Sequence, residues 1–323
     1  MKQHPFYIIK KARFWVCLAI GLSVCSLFVF LLNLNFSEEF TGGVSLSLSS
    51  TASMEGLDTS LHNYLDSNSY PTSRIFIDTE GDTTTIKVNA NLGSDELVAQ
   101  LSEDVKNFLI SEQVIESAND IVWQTIIGPS VGDYMKTTAV QAFVLGLLLM
   151  VIYILFSFGK IRKDIPAQIL GIAVLGVLLF EVCTSLGAYG ARMIINPTIQ
   201  VDTVFIIAIL TICGYGVNDI IIIFDRIREN LLKHRSSNQV DVKNVIEDSL
   251  WQTMQRSIGT CLSTVLVLVA MLVFGTGALQ QFAFTVLVGV VMTAFASIFL
   301  GGSLVSLMMQ MQNKQKKTLK KKS

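Results

Sequence analysis

The 323-residue chain is 51% hydrophobic and 15% charged, with a mean hydropathy of +0.55; soluble globular proteins carry roughly 25% charged residues, so an ordinary soluble fold is excluded. The net charge of −1 hides an asymmetry: Asn35 to Tyr134 holds 16 acidic residues against 3 basic ones, whereas the N-terminus (Lys2, Lys10, Lys11, Arg13) and the tail (Lys314, Lys316, Lys317, Lys320, Lys321, Lys322) are basic. Cytoplasmic loops carry an excess of Lys and Arg, so both ends are expected in the cytoplasm and the acidic stretch outside.

Crossing the hydrocarbon takes about 20 apolar residues in a helix. Phe14–Leu34 comes first; it is longer than a secretory signal core and is read as a retained span. Five more follow: Thr137–Phe158, Ile165–Tyr189, Thr203–Phe224, Ser257–Phe274 and Phe282–Met309. Lys160, Arg162 and Lys163 separate the second and third spans, and Arg226, Arg228, Lys233, Arg235 and Lys243 the fourth and fifth. One topology fits: residues 1–34 form the N-terminus and first span, 35–134 an extracytoplasmic domain, 135–310 the other five spans with a cytoplasmic loop at 225–255, and 311–323 a basic tail.

Within the acidic domain, Val44–Ser50 alternates as a strand and Met54–Asp66 places Leu57, Leu61 and Leu65 at helical spacing. Arg74–Asp78 and Thr83–Val88 read as strands joined at Glu80-Gly81-Asp82. Asp95–Leu109 reads as a helix facing inward through Leu97, Leu101, Val105 and Leu109, and Ile115–Ile127 ends as a strand entering the second span. The order βαββαβ predicts a ferredoxin-like domain. The fold class is therefore a membrane bundle of six transmembrane helices with one small extracytoplasmic α+β domain. Farther on, Val240–Leu250 mixes apolar and charged residues, as an amphipathic helix at the cytoplasmic interface would.

Ionisable residues inside spans are costly and need a reason. Asp219 lies five apolar residues before Asp225, roughly 9 Å deeper at helical rise. Arg256 opens the fifth span, antiparallel to the fourth, and can either pair with Asp219 or snorkel to the headgroups. Glu181 is in the middle of the third span, as a proton-handling group or a structural hydrogen bond. Asp202 can cap the fourth span's N-terminus. Gly214 and Gly216 precede Asn218-Asp219, where they serve either a hinge or close packing. Gly259/Ser263 and Gly289/Thr293 have small-xxx-small spacing. The five cysteines (Cys17, Cys25, Cys183, Cys213, Cys261) all fall in apolar runs, the three histidines lack metal-ligand spacing, and no P-loop, GxSxG or HExxH occurs. Catalysis of the soluble-enzyme kind is not expected.

The run Gly214-Tyr-Gly-Val-Asn-Asp-Ile-Ile-Ile-Ile-Phe-Asp-Arg-Ile-Arg-Glu-Asn230 resembles the signature of the SecF family of the Sec translocase, within the RND superfamily. Asn218, Asp219, Asp225, Arg226, Arg228 and Glu229 stand at its polar positions. Phe40-Thr41-Gly42-Gly43 resembles the family's Asp-Phe-Thr-Gly-Gly, with Glu39 in place of Asp; Gly128-Pro129-Ser-Val-Gly132 resembles its Gly-Pro-x-Val-Gly. Phe180-Glu181 stands where many members have His-Asp, keeping the charge and losing the His. The resemblance implies a multi-pass subunit of the inner membrane that assists protein export using the proton gradient. Its implied partners are a SecD-like subunit, the SecYEG channel, unfolded preprotein and membrane lipid, with no nucleic acid. Protons are the coupling ion and no cofactor is implied. Asp219, Arg256, Glu181 and Asn218 are the implied proton-coupling residues. A small-molecule transporter of the same superfamily and a passive scaffold are the competing readings.

Overall fold

The structure, a computed structural model, describes residues 6–49, 56–68, 70, 74–80, 83–90, 92–117, 120–157, 166–234 and 242–322. The expectations for Lys2, Lys160, Arg162, Lys163, Arg235, the start of the helix predicted from Met54, and the Gly81-Asp82 turn lie outside these residues. Two compact units form: one of Met1–Leu32, Val144–Ala191 and Ile207–Ser323, the other of Asn33–Phe143 and Arg192–Ile206.

In the second unit a short helix α2 (Glu38–Thr41) leads into β1 (Gly43–Leu48), α3 (Leu57–Ser67), β2 (Arg74–Glu80), β3 (Thr83–Asn89), α4 (Asp95–Ser111) and β4 (Ile121–Ile127). The sheet is antiparallel with order β2-β3-β1-β4, which is the ferredoxin-like arrangement expected from βαββαβ. Alternation along β1 and β3 sends Val44, Leu46, Leu48, Ile86 and Val88 into one core, where they meet Leu61 and Leu65 of α3 and Val98, Leu101, Val105 and Leu109 of α4. Leu97 is exposed instead of facing inward: Ser94 accepts the Leu97 N–H as the helix N-cap (3.4 Å), and the buried stripe starts one residue later at Val98. The stretch Arg192–Ile206 belongs to the same unit. Its Val201 exchanges backbone hydrogen bonds with the linker before α2, accepting from Ser37 (2.9 Å) and donating to Asn35 (2.8 Å).

Six helical stretches among the described residues are long and apolar enough to cross a membrane: Ile9–Leu32, Pro129–Tyr153, Gln168–Ile195, Thr203–Lys233, Val242–Phe274 and Gly277–Gln312; the first, fifth and sixth lie wholly in the first unit, and the second, third and fourth are shared with the other. They comprise α1 (Ala12–Leu32), α5 (Pro129–Ser157), α6 (Ala167–Ile195), α7 (Thr203–His234), α8 (Val242–Phe274), and α9 (Gly277–Phe295) continued by a π-helical segment (Ala296–Gly301) and α10 (Gly302–Lys322). Of the amphipathic stretch expected at 240–250, residues 240 and 241 lie outside the described residues; from Val242 it forms the first turns of α8, unbroken into the span, with Val245, Ile246 and Leu250 buried. Small residues set the packing. A Cβ at Gly187 or Gly190 of α6 would collide with Ser26 or Phe30 of α1, and one at Gly289 of α9 with Ile212 of α7. Of the two small-xxx-small motifs, Gly289/Thr293 is thus an internal contact, while Gly259 meets nothing within 4 Å.

Candidate functional site

Asp219 is buried in the first unit, and its two carboxyl oxygens meet hydroxyls from two other helical segments. Ser257 of α8 donates to Oδ1 at 2.8 Å, and Ser297 of the π-helical segment donates to Oδ2. The π geometry matters here, since an extra residue per turn redirects side chains and such segments recur at functional sites. Gly301, at the end of this segment, sits against Ile220, 2.9 Å from where a Cβ would be, so α7 approaches the π segment closely.

The expected Asp219–Arg256 pair is not formed. Ser257 occupies the face of α8 that looks at Asp219, and the preceding residue projects about 100° away around the helix. Arg256 is exposed. The ion pairs along this part of the chain are Arg228–Asp225, Arg226–Glu229 and Lys233–Glu229; among the described residues Arg256 joins none. Asn218 and Gly214 are likewise exposed, four residues apart on one face of α7. Neither gathers at the Asp219 cluster.

Glu181 does gather there. It is fully buried, its carboxyl lies against Gly216 of α7 so closely that a Cβ would overlap it, and the Thr293 hydroxyl and the Asp219 charge are near enough to act on it. Neither Glu181 oxygen has a hydrogen-bond partner within bonding geometry among the described residues. Of the two open readings for the glycine pair, Gly216 is a packing glycine that makes room for an acid, while Gly214 meets nothing within 4 Å. The constellation is therefore two acids from α6 and α7, surrounded by the hydroxyls of Ser257, Thr293 and Ser297. The serines carried no distinctive sequence signal, because Ser and Thr in spans ordinarily bond back to their own helix.

The rest of the long motif braces α7 to α8. Arg226 Nε donates to Gln252 (2.5 Å), and Asn230 Nδ2 donates to Ser249 (2.9 Å) and Gln252 (3.0 Å). In the second unit the two glycine motifs form one backbone junction. Gly42 (φ +79°) lies against the Ile127 carbonyl and Pro129 nitrogen, and Gly132 lies 3.1 Å, at Cβ distance, from the Phe40 carbonyl. Gly43 has φ +148° and a Cβ there would strike the Val88 carbonyl, and Gly128 abuts Asp95. Phe40 is buried, and Thr41 Oγ1 donates to Ser37 O at 3.0 Å. Glu39 accepts the Thr203 N–H (2.7 Å) and Asp202 caps its own helix through Phe205 N–H (2.7 Å). Burial pushes the Asp202 carboxyl above its ordinary value, partly offset by that N–H. Among the described residues no three His, Cys, Asp or Glu side chains assemble as a metal site requires.

Residues 110–311 match the family described as protein export membrane protein SecD/SecF, C-terminal. The chain is similar to the protein translocase subunit SecF of Sebaldella termitidis, 31% identical over 97% of this chain and 96% of that one. It is also similar to the protein translocase subunit SecDF of Thermus thermophilus, 28% identical over 93% of this chain and 37% of that longer protein. The crystal structure of SecDF from Thermus, described as a translocon-associated membrane protein, superposes with a TM-score of 0.74 at 24% identity, covering 94% of this chain and 39% of that one; this likeness bears on the fold.

Proposed function

Because the chain belongs to the SecD/SecF family of protein-export membrane proteins, we propose that it works as the SecF subunit of a SecDF-type complex, assisting translocation of unfolded preproteins beside the SecYEG channel and drawing on the proton gradient. The single observation that carries the proton role is the buried Asp219 clamped by Ser257 and Ser297. A serine hydroxyl donates to a carboxylate and, after rotation, accepts from a carboxylic acid. The same shell therefore suits both forms of Asp219, which a fixed cation would not. Glu181, the second buried acid of the cluster, is the group with which Asp219 can exchange a proton. Loading Asp219 places one proton on one of its oxygens, which reverses one of its two hydrogen bonds while the other oxygen still accepts from its serine, and so alters the link between α7, α8 and the π segment.

A subunit of this kind couples rather than catalyses. The charge pattern supports a multi-pass inner-membrane protein with both termini in the cytoplasm and residues 35–134 outside. A SecD-type partner, implied by the longer SecDF relative, would cover the exposed Asn218 and Arg256, since exposed polar groups at membrane depth seek protein. The test is gradient-stimulated export in vesicles. Asp219→Asn should abolish the stimulation while basal export persists; full stimulation in that variant would remove Asp219 from the mechanism.

A further inference from the structure

The N-terminal end of α1 is built into the first unit by a buried carboxylate. Glu247 of α8 accepts the backbone N–H groups of Ile8 and Ile9, both at 2.8 Å, and the Trp251 indole N–H at 3.3 Å. Beside this anchor lies a cavity of about 520 Å³ between the start of α1, the start of α8 and α10. Lys10, Arg13 and Lys243 line it, with Lys10 Nζ over the Tyr7 ring at 3.9 Å; Gln310 also lines it, but its amide already donates to Ser306. Glu247 is the one acid among the lining residues, and three donors already occupy its oxygens. The cavity is thus a cationic pocket with a net excess of positive charge at the start of the first apolar span.

A second cavity of about 350 Å³ runs along the same seam. It is lined almost wholly by apolar groups from α1 (Val16, Ile20, Leu27), α6 (Phe180) and the π segment and α10 (Leu300, Leu304). The two cavities are in line. Arg13 and Val16 are three residues apart on α1, and Leu307 of the first cavity and Leu304 of the second are three apart on α10; such pairs lie on one helical face, about 4.5 Å along the axis. From Val16 to Leu27 the groove follows α1 for about 16 Å. Its origin is visible in the packing: α1 presses on α6 at Gly187 and Gly190, and the seam opens beyond that contact, where Gly176 of α6 instead meets Leu304 at 2.9 Å from its Cβ position.

We propose that this seam is a binding site for one anionic phospholipid, with its phosphate among Lys10, Arg13 and Lys243 and one acyl chain along the groove between α1, α6 and α10. Basic pockets between membrane helices next to apolar grooves have the charge and shape of such a lipid. A free phosphate would use the cationic pocket alone and leave the groove unexplained.

The test uses the full-length chain in nanodiscs, with lipid retention read by native mass spectrometry for phosphatidylglycerol against phosphatidylcholine. The wild type should retain phosphatidylglycerol preferentially. Replacing Lys10, Arg13 and Lys243 by Gln should lower that retention by about fivefold per charge removed. Substituting the tail lysines 316, 317, 320, 321 and 322 instead should leave it unchanged. Ser23→Phe, which fills the groove and keeps every charge, should also weaken retention. Inorganic phosphate at millimolar concentration should not displace the lipid. Equal retention in the triple variant, or equal retention of phosphatidylcholine, would overturn the headgroup assignment. Full retention in Ser23→Phe, or displacement by inorganic phosphate, would overturn the acyl-chain seat and leave a phosphate site.

Discussion

Each oxygen of the Asp219 carboxyl meets one seryl hydroxyl, and no ion pair is made to it among the described residues. Hydrogen bonds to a charged group contribute about 1.5–3 kcal/mol each, so Ser297→Ala should lower the gradient-stimulated export rate by about 10- to 100-fold, with Ser297→Thr restoring part of it by returning a hydroxyl. Equal rates in Ser297→Ala and wild type would mean the hydroxyl does not tune the acid. In the sheet-bearing unit, Tyr70 donates to Asp104 at 2.8 Å, and burial first, then this bond, pushes its phenol from 10.0 up to about 12. A raised pKa means the neutral phenol is favoured on folding, so this stabilisation is complete below pH 10 and is lost as pH rises through about 12. The phenolate absorbance that disappears in Tyr70→Phe should titrate near pH 12 in the folded chain; titration near 10 would contradict the buried bond.

At the scale of elements, glycines decide how close segments come. Gly216→Ala would push a methyl into the Glu181 carboxyl; the end of a flexible side chain can yield, so the fold should persist while proton stimulation falls, measured as unchanged thermal unfolding beside reduced export. Gly43→Ala strikes backbone at a positive φ and should destabilise the sheet-bearing unit by about 1–3 kcal/mol, read in a denaturant titration. Much of this was legible in the sequence. The period-two strands, the apolar spans and the isolated Asp219 and Glu181 all carry strong one-dimensional signals. The choice between pairing and snorkelling for Arg256 stayed open because sequence gives depth in a span and not azimuth: Arg256 and Ser257 share a level, and only the helix phase decides which one faces Asp219. Leu97 failed for the same reason, one residue off the buried stripe. The π segment was invisible because its apolar composition matches that of any span, and the role of Glu39 at Thr203 required knowing that Arg192–Ile206 joins the sheet-bearing unit.

For the molecule as a whole, this chain matches 37% of the length of the longer SecDF relative, and the proposed SecD-type partner would lie against it. Exposed Asn218 and Arg256 are expected at that junction, and cysteines placed there in a cysteine-free background should cross-link to a SecD-type partner; cross-links only from α5 would redraw the assembly. On the proposed function, Asp219 takes up and releases the coupling proton inside its two-serine clamp. Infrared difference spectroscopy on the chain assembled with its SecD-type partner, stepped across a pH range, reads this through the carboxyl C=O band. A protonation band absent in Asp219→Asn and shifted in Ser297→Ala is the expected result; a spectrum unchanged by Asp219→Asn would contradict it.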